Sequence, residues 1–572
     1  MKRLLILLLA SLPVGLHGQF RYDGHICGGD SLRRPYSAVP SVSGETYRFA
    51  VIADRCGGER PGVFRSGAER VREYAPDFVL SVGDQIDGYT TDREHAMRQW
   101  EEFDTLRRLF GVPLFHLPGN HDYSNRELAA LWDERFGCSY YGFRIGSSLF
   151  LMLNSEEPLG EGRTGISDRQ AAYFASMLAR ERSDGPLFVV MHTPLWVTGR
   201  DPNYNRLEAL FLERNATVFS GHTHRYYHAC KKGRPHYNLA TLGGDSPMRG
   251  VPMGEFDHFM LVEVHDGKVS VRNISVDGTP LPLDAVDEQS RGPVELLAAE
   301  KWLDVIPTVA DGPRTEYLET GLVLTNPSEE PLRVTMQAPR IPGGRIEPET
   351  CIREVAPRSN DTVPLRIRFD SPQETDALPP IRIVCRGSYR IGGREVAASA
   401  EKRWLIDCIR RCGSEPTAVR VEDPFYVHEV WDWHSVRDGS FRFEVRLDAD
   451  DRIALRITTA DDNLITDPDP KRLQDRIVVL FTPEGGPTQR IELTAGRSAE
   501  APYRAECRAV ENGLEARLSL PAKGLRRFNL NIGFVDCDNR LNTKPSQLWW
   551  RPREMRANDR ADYGTFLIER DE

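Results

Sequence analysis

Between residues 47 and 280, short apolar runs alternate with amphipathic helical stretches, and this rhythm restricts that part of the chain to an α/β layered domain. Residues 49–53 have the unbroken apolar pattern of a strand buried on both faces; 65–74 predict a helix, 78–82 a second strand and 93–110 a long helix. The alternation continues with strands at 112–117, 149–153, 186–191 and 217–220 and helices at 125–136 and 167–182. A Ser167-x-x-Gln170 capping box opens the last of these. Loops that follow the strands of such a fold face one crevice.

The rest of the chain has a different texture. From about 294 to 407, and again from about 418 to 572, the helical period gives way to short alternating runs such as Leu332-Arg-Val-Thr-Met336 and Ser440-Phe-Arg-Phe-Glu-Val-Arg-Leu447. Strands spaced this way predict β-sandwiches. A length of 572 residues, at about 150 per domain, fits such a division into several domains.

Residues 1–18 read as a secretory leader: Lys2 and Arg3 precede an apolar run that Pro13 ends, too short to span a bilayer. No later segment is long and apolar enough to do so. The expected location is secreted, periplasmic or cell-surface. With 74 Lys and Arg against 84 Asp and Glu, the net charge of −10 argues against a chain that coats nucleic acid. Ten Cys in this length are too few for a disulfide-built scaffold. Cys408 and Cys412 predict a local disulfide or two unrelated thiols, not a zinc pair.

Chemistry concentrates where the strands of the first region end. The successive loops read Asp54-Arg55-Cys56, Gly83-Asp84-Gln85-Ile86-Asp87, Gly119-Asn120-His121-Asp122, Met191-His192-Thr193-Pro194 and Gly221-His222-Thr223-His224. Carboxylate and amide oxygens mixed with imidazole nitrogens over five loops suit a pair of divalent metals of the Mn, Fe, Zn or Ni type, one carboxylate serving both. The glycines before Asp84, Asn120 and His222 are expected to let the main chain turn sharply into the crevice.

In order and spacing these blocks resemble the calcineurin-like metallophosphoesterase family. The resemblance implies a four-layer αββα sandwich over 40–285; with the all-β sandwiches that the strand patterns place over 292–408 and 415–572, the chain is multidomain. It makes Asp84 the bridging ligand, with Asp54 and His224 on the first metal and Asn120, His192 and His222 on the second. It places His121 beside the substrate, protonating the leaving oxygen or stabilising charge there, with Asp87 hydrogen-bonding that imidazole. The implied reaction is hydrolysis of phosphate mono- or diesters by a hydroxide that two metals share.

One position departs from the family pattern. Asp-x-His is usual in the first loop, its His a metal ligand, and Cys56 stands here instead. Cys56 could ligate as a thiolate, stand by while water or phosphate fills the position, or be tied in a disulfide. Arg55 is a candidate for binding substrate phosphate, or else an ion-paired surface residue. Purple acid phosphatases carry Tyr three positions after the bridging Asp; Asp87 occupies that place, so that subclass is not expected. Tyr123, Trp196, Tyr226 and Tyr227 flank the ligand loops, where they either stack on substrate or pack the rim, and His228 is expected to be peripheral.

The middle region resembles an immunoglobulin-like spacer, and residues 415–572 form a jelly-roll-like pattern resembling family-nine carbohydrate-binding modules. Trp431, Trp433, Trp549 and Trp550 are candidates for a sugar-stacking platform, with some of the four equally expected in the core, and a glycan is a candidate partner beside the phosphorylated substrate. The expectation is a secreted metal-dependent phosphoesterase; its rival is a catalytically weakened relative acting as a surface or glycan-binding protein.

Overall fold

The computed structural model describes residues 21–24, 33–42, 45–159, 164–181, 184–306, 308–375, 378–421, 426–428, 435–469, 472–497, 502–537, 545–551 and 564–570. The leader sequence, Trp431 and Trp433 lie outside the described residues. The chain divides into two compact units, 1–294 and 295–572.

In the first unit the elements follow in the order β1 (Arg21–Gly24), β2 (Thr46–Ile52), α1 (Val63–Glu73), β3 (Phe78–Ser81), α2 (Arg93–Arg107), β4 (Leu114–Phe115), α3 (Arg126–Phe136), β5 (Tyr141–Ile145) and β6 (Ser148–Met152). Then come α4 (Asp168–Arg180), β7 (Leu187–Val190), α5 (Leu195–Thr198), α6 (Pro202–Phe211), β8 (Ala216–Ser220), β9 (Tyr227–Lys231), β10 (Arg234–Asn238), β11 (His258–His265), β12 (Lys268–Ser275) and β13 (Pro280–Leu281). They build a seven-stranded sheet, β1-β5-β6-β7-β8-β10-β9, and a six-stranded sheet, β13-β12-β11-β2-β3-β4.

Strand alternation stacks these into four layers. Phe49, Val51, Phe78 and Leu80 of the six-stranded sheet meet Phe143, Phe150, Met152 and Phe188 of the other in one core. Phe49 stacks on Phe78 at 5.1 Å and meets the Phe188 ring edge-on at 5.0 Å. Their strand neighbours Ala50, Ile52 and Val79 point the opposite way, onto Phe64, Trp100, Phe103 and Trp132 of α1 to α3. Leu149, Leu151, Leu187 and Val189 likewise meet Phe174, Leu178, Leu207 and Phe211 of α4 and α6. Both faces of each sheet are therefore dry, which is why the central strands read as unbroken apolar runs. Each such side chain contributes about 1.5–3 kcal/mol by burial.

Helix starts are fixed by side chains. Asp92 accepts from the His95 N–H, and Asn125 from those of Glu127 and Leu128; Asp201 caps α6 with Pro202 in its first turn. The predicted capping box at α4 is half formed. Ser167 accepts from the Gln170 N–H, but the Gln170 side chain runs to Asn154 and Glu157, and Glu157 takes the Ser167 N–H instead. The layered domain also begins before residue 40: β1 pairs with β5, and Tyr36 bridges to Phe115.

The second unit is strand-rich. Strands Arg314–Asn326, Leu332–Gln337, Ser359–Glu374 and Ile381–Ile391 belong to two four-stranded sheets with alternating burial. Farther on, a seven-stranded sheet with Arg476–Pro483 and Arg527–Asp536 shares one core with a five-stranded sheet of Ser440–Leu447, Arg452–Ala460 and Gly513–Pro521. That core takes Trp550, and Trp549 is buried against Val478 and Val535. These two indoles are packing residues, not a sugar platform. Trp549 lies across from Gly533, where a Cβ would come within 2.7 Å of its ring. Cys412 is a free buried thiol, which rules out the local disulfide with Cys408.

Candidate metal centre

Five strands deliver the site from their C-terminal ends. β2 leads to Asp54, β3 to Asp84, β4 to Asn120, β7 to His192 and β8 to His222 and His224. Of the three glycines Gly83 has positive φ, at 117°, and left-handed backbone also falls on the candidate ligands themselves, with φ of 54° at Asp84, 73° at His222 and 50° at His224. Two of the preceding glycines serve differently from the expected sharp turn. A Cβ on Gly119 would overlap Asp84 Oδ1, and one on Gly221 would overlap Asp54 Oδ1, so both act by letting main chain approach a carboxylate.

Donor atoms converge in two groups, Asp84 with His192 and His222, and Asp84 with Asp54 and His224; within each they lie within 4.8 Å of one another. Asp84 is common to both. Asn120 joins the first group, its Oδ1 lying 2.9 Å from His192 Nε2 and 2.7 Å from His222 Nδ1. Its Nδ2 donates to the Tyr89 hydroxyl at 3.0 Å, which fixes the amide with its oxygen inward.

The imidazoles are oriented from behind. His192 Nδ1 donates to the Val82 carbonyl at 3.0 Å and His224 Nδ1 to that of Asp245 at 2.5 Å, leaving each Nε2 to face a carboxylate. His192 Nε2 lies 3.2 Å from Asp84 Oδ2, and His224 Nε2 lies 3.2 Å from Asp54 Oδ2. Burial alone disfavours a charged imidazole, yet Asp84 raises His192 to about 10 and Asp54 raises His224 to about 9. Burial also opposes ionisation of Asp84, but His192 and His121 hold its carboxyl well below the usual range. His222, buried and beside His192, is lowered.

The donor set fits divalent cations. Asp54 Oδ1 is buried with no hydrogen-bond donor, and the hard oxygens and imidazole nitrogens around it are what such ions take. The residues that would hold them are Asp54, Asp84 and His224 on one side and Asp84, Asn120, His192 and His222 on the other.

The remaining sequence candidates divide. His121 lies at the rim: its N–H donates to Asp84 Oδ1 at 2.9 Å, and its ring meets Tyr89 edge-on at 4.8 Å. Its Nδ1 donates to Asp87 at 2.6 Å, but to the main-chain carbonyl oxygen and not to the carboxylate. Arg55 does not face substrate space. It is 3% exposed, pairs with Glu59 and Glu102 at 2.6 Å each, and donates to the Gln85 carbonyl at 3.0 Å. Cys56 is buried and free, which removes the disulfide reading; its thiol groups with Glu59 and Asp87 and not with Asp54. Burial pushes that thiol well up, against the pull of Arg55. Gly57, next along, lies under both rings, and a Cβ there would stand 3.0 Å from His224 Cε1 and 3.1 Å from His121 Nε2.

Of the flanking aromatics, Trp196 is buried and stacks on Tyr227 at 5.3 Å, and Tyr226 is buried with its hydroxyl on the Leu283 carbonyl. Tyr123 packs against the core under α1 to α3, and His228 stacks on Tyr237 away from the ligands. Three contributors escaped the sequence reading: Tyr89, Asp245 and Asp122. Asp122 carries a readable signal, as it closes the Gly119–Asp122 block. Its Oδ1 accepts the N–H groups of Gln85 and Ile86 and its Oδ2 that of Gly119, tying the Asp84 loop to the Asn120 loop.

Two stacked sheets between helical layers, with carboxylates and imidazoles gathered at the strand ends around one shared Asp, define a candidate divalent-metal centre of the metallohydrolase type. The comparisons agree. Residues 47–226 match the calcineurin-like phosphoesterase family, and the N-terminal part of the chain is a metallophosphoesterase domain, of the class that hydrolyses phosphoesters. The serine/threonine-protein phosphatase CPPED1 of Bos taurus is 29% identical over 229 residues, 35% of this chain and 68% of that protein. The Homo sapiens protein of that name is 30% identical over 182 residues, 26% of this chain and 54% of its own length. Among solved structures, a dimetal phosphatase from Danio rerio overlaps 41% of this chain and 97% of its own at 14% identity and a TM-score of 0.33. A family 9 carbohydrate-binding module from Caldicellulosiruptor kristjanssonii in complex with cellotriose overlaps 28% and 94% at 8% identity and a TM-score of 0.21.

Proposed function

We propose that the chain is a phosphoesterase that hydrolyses phosphate mono- or diesters with two divalent cations of the Mn, Fe, Zn or Ni type. The observation that carries this reading is the sharing of Asp84 between two donor groups. Cations held there supply charge to neutralise a phosphoryl group and acidify water.

The protein's own groups do the rest. The carbonyl oxygens of Val82 and Asp245 hold the His192 and His224 rings so that each Nε2 is presented to the crevice. Asp122 keeps two ligand loops in register. His121, held at Nδ1 by the Asp87 carbonyl, has Nε2 beside Gly57 and His224, placed to give a proton to a departing ester oxygen. With Arg55 engaged by Glu59 and Glu102, the ester is gripped by the centre and not by that guanidinium.

Aryl phosphate mono- and diesters, offered to protein loaded in turn with each cation, test the reading. Turnover with at least one cation is expected; tight cation binding with no turnover of either ester class would favour a binding protein. We further propose that the protein is exported, on the strength of its first 18 residues. Among the described residues no helix is long and apolar enough to cross a membrane. Fractionation and N-terminal sequencing of the mature protein check this; an intact Met1 in the cytosol contradicts it.

A further inference from the structure

Far along the chain from this centre, the second unit contains another group of acidic side chains. Asp461 follows strand Arg452–Ala460, Asp475 precedes strand Arg476–Pro483, and Asp536 ends strand Arg527–Asp536. One carboxylate oxygen from each lies within 4.8 Å of the others. All three are buried, at 2%, 0% and 1% exposed.

Three carboxylates this close in a dry interior repel one another strongly, and none of the described ion pairs brings Lys or Arg to Asp461 or Asp475. The polypeptide nevertheless aims them inward. Asp475 is held by the N–H groups of Ile465 at 2.5 Å and Cys537 at 2.7 Å, and Asp461 Oδ1 by that of Asn463 at 2.7 Å. Asp461 Oδ2, on a side chain almost fully removed from water, has no donor. A buried acceptor left in this condition among two other carboxylates calls for a positive charge.

We propose that Asp461, Asp475 and Asp536 form a calcium-type cation site that ties both ends of the 461–475 segment to the end of strand Arg527–Asp536. The all-oxygen donor set selects a hard ion; no imidazole or thiolate joins it among the described residues, in contrast to the phosphoesterase centre. A cation here is structural. It links three points far apart in sequence and so favours the folded sandwich over the unfolded chain.

The test uses the full chain with Ca²⁺ as the probe. Equilibrium dialysis with ⁴⁵Ca²⁺ compares the wild type, Asp84→Asn, Asp461→Asn and the double variant Asp461→Asn/Asp475→Asn, with thermal unfolding followed in Ca²⁺ and in EGTA. Asp84→Asn separates this site from the N-terminal one. The site predicts one bound Ca²⁺ that persists in Asp84→Asn and is lost in the double variant. It also predicts an unfolding midpoint that Ca²⁺ raises by several degrees in the wild type and leaves unmoved in the double variant. Because Asn keeps the shape while removing charge, the double variant should fold; if it does not, Asp461→Asn alone should weaken binding at least tenfold. Equal Ca²⁺ binding and equal midpoint shifts in wild type and Asp461→Asn overturn the proposal, as does an Asp84→Asn variant that binds no Ca²⁺.

Discussion

The Nδ1 of His121 lies 2.6 Å from the main-chain carbonyl oxygen of Asp87, so the ring is oriented by backbone and not by a carboxylate. Asp87→Asn keeps that carbonyl. It is predicted to change kcat on an aryl phosphate by less than about threefold, whereas His121→Ala removes the proton donor and should cost about 10²–10³. Steady-state kinetics of the two variants at matched cation loading decide it. A loss in Asp87→Asn as large as that in His121→Ala would show that the carboxylate is required.

Arg55 is a structural cation under the first ligand loop. Its guanidinium holds Glu59, Glu102 and the Gln85 carbonyl, and Glu102 is itself largely exposed. Arg55→Met should therefore cost stability, roughly 1–3 kcal/mol, once solvent screening of the Glu102 pair is allowed for. KM should stay within about twofold, as nothing that touches the ester is removed. A raised KM at unchanged unfolding midpoint would restore Arg55 as a phosphate-binding residue.

The pH dependence of stability should invert with cation loading. His192 and His224 are raised from 6.5 to about 10 and about 9 by their carboxylate partners, against the effect of burial. Their contribution in chelator is present in full below pH 6.5 and is lost as pH rises through about 9 and about 10. Asp122 acts in the same direction, burial and then the Asp84 charge raising it to about 7, while His222 is lowered and titrates below this interval. A bound cation displaces the imidazole protons, so its affinity and the stability it confers increase with pH over the same range. Thermal unfolding of the N-terminal unit across that range, in EDTA and in excess Zn²⁺ or Mn²⁺, reads both slopes. Parallel slopes would contradict the account.

What the sequence made legible follows from locality. The strands ending at Ile52, Ser81, Val190 and Ser220 are buried on both faces, so their apolar runs are unbroken and the ligand blocks fall directly after them. The pairs that depend on distant segments were not legible. Trp549 stands open between a stacking face and the core until Gly533 is known to lie across from it, and Asp245 reaches His224 only through a loop 21 residues on. For Arg55 the choice between phosphate and an ion pair stays open in the sequence because its second carboxylate partner, Glu102, comes from α2, 47 residues away. Asp87 meets His121 where the loop spacing puts it, but through its carbonyl: spacing along a loop locates a residue and does not distinguish carbonyl from carboxylate.

The most direct test of the central claim is the cation content of Asp84→Asn, measured by plasma mass spectrometry beside the wild type after identical loading and dialysis. If Asp84 serves both donor groups, wild type loaded with Zn²⁺ retains two zinc ions per chain, the variant falls below one, and hydrolysis drops about 10²–10³-fold, the range seen when a group central to transition-state charge is removed. A variant that retains both cations and turns over within tenfold of the wild type would contradict a shared centre built on Asp84.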